Sequence, residues 1–219
     1  MTDEYLDLGQ QIDEIENFHE EWVKVEEYYD QGNHGEFDEP PHERLCRRAE
    51  ALIEASFEHL ELRDRSTMGD ASPNEVHLLL LAIAAEVALN AVMMREDWNY
   101  FAERASVEEG RTPSLDEGIS WVMPQLPESF GNEERARVGQ ILRLLRVHRN
   151  NSAHLGYQRF TNWRHYHEIY RVLAFLFDHY FEDSEITGEL AQRMADHREH
   201  ISPDALDYPP VDLGVDSPR

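Results

Sequence analysis

Cysteine and lysine are almost missing from this sequence: Cys46 and Lys24 stand alone among 219 residues. A single cysteine excludes a disulfide framework and a cysteine-rich zinc site, and it suits a reducing interior. Positive charge is scarce altogether, with 20 lysines and arginines against 45 aspartates and glutamates and a formal net charge of −25. Such an excess repels itself in a compact chain unless salt screens it, a property halophilic proteins exploit. The acidity therefore predicts adaptation to a salt-rich cytoplasm. Mimicry of an acidic substrate or metal buffering are the competing accounts. The start, Met1-Thr2-Asp3-Glu4-Tyr5, has neither the basic residues nor the apolar run of a signal peptide, so a cytoplasmic protein is expected. Strand-like alternation, internal repeats and a glycine-rich phosphate loop are also missing.

What remains is helical periodicity. Tyr5, Leu8, Ile12, Ile15, Phe18 and Trp22 predict a polar helix over 4–29, and 31–41, with two glycines and two prolines, reads as a boundary. Glu16 and His19 have the spacing of half a di-iron carboxylate site, but no second copy follows, and a solvated face explains them. A helix over 42–63 carries Leu45, Ala49, Leu52, Ile53, Phe57 and Leu60 on one side. Ser72-Pro73-Asn74-Glu75 forms a helix start, with a cap, a proline at the first position and a capping box. The helix that follows, 76–94, is apolar nearly all round and long enough to suggest a membrane span. Glu86 in its middle costs ~2.5–3.5 kcal/mol on insertion scales, and Asn90 follows one turn on, so the expectation is the surrounded helix of a bundle away from any membrane.

Beyond it, 97–108 either extends that helix or breaks it. Ser114-Leu115-Asp116-Glu117 is a second capping box, opening a short helix that Pro124 and Pro127 end, and 106–132 reads as an inserted excursion. Helices are expected over 132–150, over 162–182 with Thr161 as cap, and over 187–201, with an extended tail from Ser202. Trp163, Tyr166, Tyr170, Leu173, Phe177 and Tyr180 make an aromatic stripe whose ordinary use is core or interface. The class is all-α: an up-and-down helical bundle over 42–182, an N-terminal helix within 1–30, and a short helix with an extended acidic tail over 183–219.

Charge distribution singles out one region. From Arg135 to Arg171 there are eight arginines, four histidines and a single acid, Glu168. Phosphate binders concentrate positive charge in this way even when the whole molecule is acidic. The arginines can equally pair with acids elsewhere in the fold. Val138, Leu142 and Leu145 form a buried stripe at i, i+4 and i+7, and Arg149 at i+11 continues it, aiming a guanidinium inward. Glu86 is a candidate partner that would orient it, with Asn90 on the same face. His154 lies five residues after Arg149, about 140° away around an unbroken helix. A break at Asn150-Asn151-Ser152, poor helix formers followed by Gly156, would bring the two together. Arg143 and His148 repeat the spacing inside regular helix and read as accidental.

A helical bundle with Arg149-Asn150-Asn151-Ser152-Ala153-His154 between two long helices resembles the HEPN domain family, whose pattern is Arg, a polar residue, a few variable residues, then His. The resemblance covers about 42–182 and leaves the N-terminal helix, 106–132 and the tail unexplained. It implies an all-α homodimer with two facing motifs and metal-independent endoribonuclease activity. It also implies a toxin or defence role, with a nucleotidyltransferase-type antitoxin as a partner. A tyrosine two residues after the histidine is common in such toxins, whereas Tyr157 here is three after. No metal site or cofactor is expected, since His165 and His167 point about 200° apart on a helix. The residues suit that chemistry: His154 as general acid/base, Arg149 on the phosphoryl oxygens and Asn150 as an aid to either. Arg143, Arg146, Arg159 and Arg164 would hold the RNA backbone. A non-catalytic dimerisation or nucleotide-binding module is the competing reading.

Overall fold

The computed structural model describes residues 18–30, 32, 37, 39–64, 73–106, 111–155, 163–181 and 184–198, excepting the side chains at 18–21, 61–64, 73–75, 151–155, 163–164 and 197–198. Among these residues the apolar periodicity resolves into eight α-helices: α1 (Phe18–Asp30), α2 (Pro41–Asp64), α3 (Pro73–Glu96), α4 (Trp98–Ala102), α5 (Leu115–Val122), α6 (Asn132–Leu155), α7 (Trp163–Tyr180) and α8 (Ile186–Arg198). One 3₁₀ turn, Met123–Gln125, follows α5. The expected all-α bundle is what the chain forms.

Helix α3 is the axis, packed against α2, α4, α5, α6 and α7. Its Leu78, Leu81, Ala82, Ala84, Ala85, Ala88, Ala91, Val92 and Met93 are fully buried, while Val76, Leu79, Leu80, Ile83, Glu86 and Val87 fall on the one remaining face and stay partly exposed. Val76–Glu96 has the length and composition of a membrane span, with a mean hydropathy of 2.0, yet 67% of its apolar 18-residue window is buried inside the bundle. Close approach helps: Gly118 of α5 lies so near α3 that a Cβ there would stand 3.0 Å from the Cβ of Leu89.

The break after α3 is set by Asp97, whose backbone leaves the helical region at φ −151° and whose carboxylate caps Tyr100 N–H at 3.1 Å. The Ser114 capping box forms as expected: Ser114 accepts from Glu117 N–H at 3.4 Å, while the Glu117 carboxylate accepts from Ser114 N–H at 2.7 Å. Within 111–132, Leu115, Ile119, Trp121, Val122 and Leu126 join the common core. Positions 115, 119 and 122 share one face of α5, and Leu126 follows just past the 3₁₀ turn.

The aromatic stripe of α7 is core. Tyr170, Leu173 and Phe177 are fully buried, and Tyr166 and Tyr180 nearly so. His77 of α3 sits against it, with Nε2 2.8 Å from the Tyr170 hydroxyl and Nδ1 3.0 Å from the Ser56 carbonyl. A carbonyl only accepts, so Nδ1 carries the proton and Tyr170 donates to Nε2. Helix α1 docks by aromatic contact, with Trp22 5.9 Å from Phe101 and Tyr29 4.6 Å from Trp98, centroid to centroid. The first part of the expected N-terminal helix, the Glu16 and His19 side chains, the Ser72 and Thr161 caps and the tail lie outside the described residues.

Candidate functional site

The stripe on α6 is as expected: Val138, Leu142 and Leu145 are buried, and Arg149 closes the row at the rim, its side chain 36% exposed. Its guanidinium reaches α3, where Nη1 lies 3.1 Å from Oε2 of Glu86. Glu86 is mostly covered, and burial raises its carboxyl above the usual carboxylate range, with Arg149 opposing that rise. One turn along α3, buried Asn90 donates through Nδ2 to the Thr112 hydroxyl at 3.3 Å, and its Oδ1 has no partner among the described residues.

A parallel contact lies one turn back on α6. Arg146 Nη1 stands 2.6 Å from Oδ1 of Asp116, in the first turn of α5. Two successive arginines of α6 are therefore each held by an acid from a different helix, and the 106–132 segment flanks the site. Asp116 was not evident beforehand, since nothing in the local pattern links positions thirty residues apart. The exposed acid in a capped first turn is its sole trace.

The basic window divides by use. Arg135 is structural, donating to the carbonyls of Leu126 and Pro127 at 2.9 Å each and thereby satisfying the end of the 3₁₀ turn. Arg171 is fully buried, 3.6 Å from Glu168. Arg143 and Asn150 are exposed on α6 beside Val147, which is 41% exposed. Arg159 and the side chains of Arg164 and His154 lie outside the described residues.

The expected break in α6 does not occur: the helix continues through Asn150, Asn151 and Ser152 to Leu155. Such residues cost at most about 0.7 kcal/mol each relative to alanine, a weak preference once packing along Val138, Leu142 and Leu145 anchors the helix. Position 154 is therefore about 140° around the axis from 149. By register it falls on the exposed face of Arg143, Val147 and Asn150. Within one chain the backbone does not bring positions 149 and 154 onto one face.

His148 points inward and is buried. Burial, and then the neighbouring His165 on α7, lower its pKa, so it is held neutral. Arg143 and His148 diverge, one exposed and one buried. Among the described residues no group of three or more His, Cys, Asp or Glu is placed to hold a metal ion. Against known proteins, no family model, no curated protein and no solved structure matches this chain.

Proposed function

We propose that the protein is a cytoplasmic, metal-independent endoribonuclease of the HEPN type, working as a homodimer through Arg149 and His154. The observation that carries the reading is the Glu86–Arg149 pair, which fixes a half-exposed guanidinium at the rim of α6. A cation held that way is set to meet charge developing on a phosphoryl group. The register of α6 adds that position 154 shares a face with exposed Arg143, Val147 and Asn150. A second copy seated on that face could bring its His154 toward Arg149 of the first, as the two-motif cleft of the resembled family requires. The 2′-hydroxyl attacks the adjacent phosphate, His154 relays the proton, and the 5′-oxygen leaves to give a 2′,3′-cyclic phosphate end. Arg143, Arg146, Arg159 and Arg164 are the proposed backbone contacts, and a nucleotidyltransferase-type antitoxin the proposed controlling partner.

The unbroken α6 favours a second reading, a dimerisation or nucleotide-binding module without cleavage, in which Arg149 is tied up by Glu86. Purified protein in concentrated potassium chloride with EDTA, incubated with mixed cellular RNA beside His154→Ala, separates the two. Cutting by the wild type alone, with cyclic-phosphate ends, supports the nuclease. Intact RNA with both proteins folded and dimeric supports the module.

A further inference from the structure

Asp116 holds Arg146 at 2.6 Å and has no task in the cleavage chemistry itself. Its ordinary use would be that of an acid in the first turn of α5, where the helix dipole favours negative charge. Two features of the contact say more.

The first is how little of the arginine is used. Nη1 alone donates to Oδ1 of Asp116, while Nε is covered without an acceptor and Nη2 has no partner among the described residues. Arg149 is likewise held to Glu86 through Nη1. Arg95, by contrast, brings both Nε and Nη2 to Oε1 of Glu96, at 2.7 and 2.6 Å. A guanidinium held at one corner is aimed, and it keeps donors for a second anion.

The second feature is that the two anchors are rigid and diverge. Asp116 stands on a helix fixed by the Ser114 capping box and by the packing of Gly118 on Leu89. Positions 146 and 149 lie about 60° apart around α6 and about 4.5 Å apart along it. Glu86 draws one guanidinium toward α3, and Asp116 draws the other toward α5. Drawn to different helices, the two are set for neighbouring phosphates and not for one. We propose that Asp116 is a positioning residue for RNA cleavage: it fixes Arg146 against the phosphate next to the one that Arg149 meets, so that the substrate runs as a single strand along the α5–α6 edge. This assignment rests on the ribonuclease reading. Asp116 acts through Arg146 and touches no reacting atom.

Charge alone makes the opposite forecast. Taking an acid from a chain of net charge −25, and freeing an arginine with it, favours binding of a polyanion. If Asp116 positions Arg146, the same change weakens the use of substrate. The side chains of Asp116 and Arg146 are 57% and 36% exposed, so variants at either keep the fold.

The test uses full chains in concentrated potassium chloride with EDTA. One substrate is a short RNA with a bond that wild type cuts. The other is the same RNA with neutral methylphosphonates, on 2′-deoxy sugars, at the two phosphates flanking that bond. On the first, Asp116→Asn and Arg146→Met should each raise KM about tenfold at nearly unchanged kcat. The double variant should be no worse than Arg146→Met, and Asp116→Glu should recover most of the loss. On the neutralised RNA wild type should itself lose about tenfold, and Asp116→Asn should match it within about twofold. Asp116→Asn that cuts the first RNA as well as wild type, or better, would overturn the assignment and leave the nuclease standing. So would an equal loss by Asp116→Asn on both RNAs. A wild type that cuts no RNA would remove the ribonuclease reading and this assignment together.

Discussion

Removing either partner of the Glu86–Arg149 pair should have unequal effects. Charges 3.1 Å apart attract by roughly 5 kcal/mol at an effective dielectric of about 20, before desolvation is subtracted. Desolvation is heavy on one side only: the Glu86 side chain is 14% exposed and that of Arg149 36%. Glu86→Gln removes a buried charge and leaves an arginine that can turn to water, so its cost should stay within about 1 kcal/mol. Arg149→Met keeps the apolar stem but strands a covered carboxylate, and should cost roughly 1–3 kcal/mol at neutral pH, less than for a fully buried pair. The double variant should resemble Glu86→Gln. The sign with pH follows from the raised carboxyl. A protonated Glu86 suits the fold, so its contribution is intact below the ordinary glutamate value of 4.5 and is lost as pH rises through the higher folded value. Arg149→Met raises that folded value further, so its penalty should nearly vanish near pH ~4 and grow toward neutrality. Denaturant unfolding at constant salt, followed by tryptophan fluorescence, measures each term. The reasoning fails if Glu86→Gln costs as much as Arg149→Met at neutral pH, or if the Arg149→Met penalty ignores pH.

Other outcomes follow from the fold. Gly118→Ala should destabilise by about 1–3 kcal/mol, because its methyl meets Leu89 at 3.0 Å across the α3–α5 contact; an unchanged midpoint in denaturant would contradict that packing. His77→Phe removes the contacts to both Ser56 and Tyr170 and Tyr170→Phe only the second, so each should cost about 1–3 kcal/mol and the pair less than the sum, as a double-mutant cycle would show. Burial works against the Glu117 carboxylate, but hydrogen bonds from Ser114, with Arg111 and Arg104, hold its pKa below the usual value. Its capping contribution is thus present above the ordinary glutamate value and lost as pH falls through the folded one, a component that Glu117→Gln should delete from the acid limb of the unfolding curve. Wild-type stability should rise with potassium chloride as the net charge of −25 is screened, and a fall would contradict the halophilic account.

The elements were legible where a pattern is local. The capped start of α5, the apolar α3 and the aromatic stripe of α7 each follow from spacing that one helix turn can read. The Glu86–Arg149 contact was legible too, because Arg149 continues an apolar stripe and Glu86 interrupts an apolar helix, and each needs a polar partner. The continuation of α6 through Asn150 and Ser152 was not, since residue preference is a few tenths of a kcal/mol per position and tertiary packing outweighs it. Nor was the Asp116–Arg146 pair, because it joins residues far apart in the chain through packing alone.

The account's central claim, an RNA-cleaving site completed by two copies, is tested most directly by mixing two inactive proteins. Arg149→Met and His154→Ala should each leave RNA intact in EDTA. After unfolding and refolding together they should recover about a quarter of wild-type activity, since half the dimers are mixed and each of those holds one complete site. Mixed dimers that form and still fail to cut, or a wild type that leaves RNA intact, would contradict it.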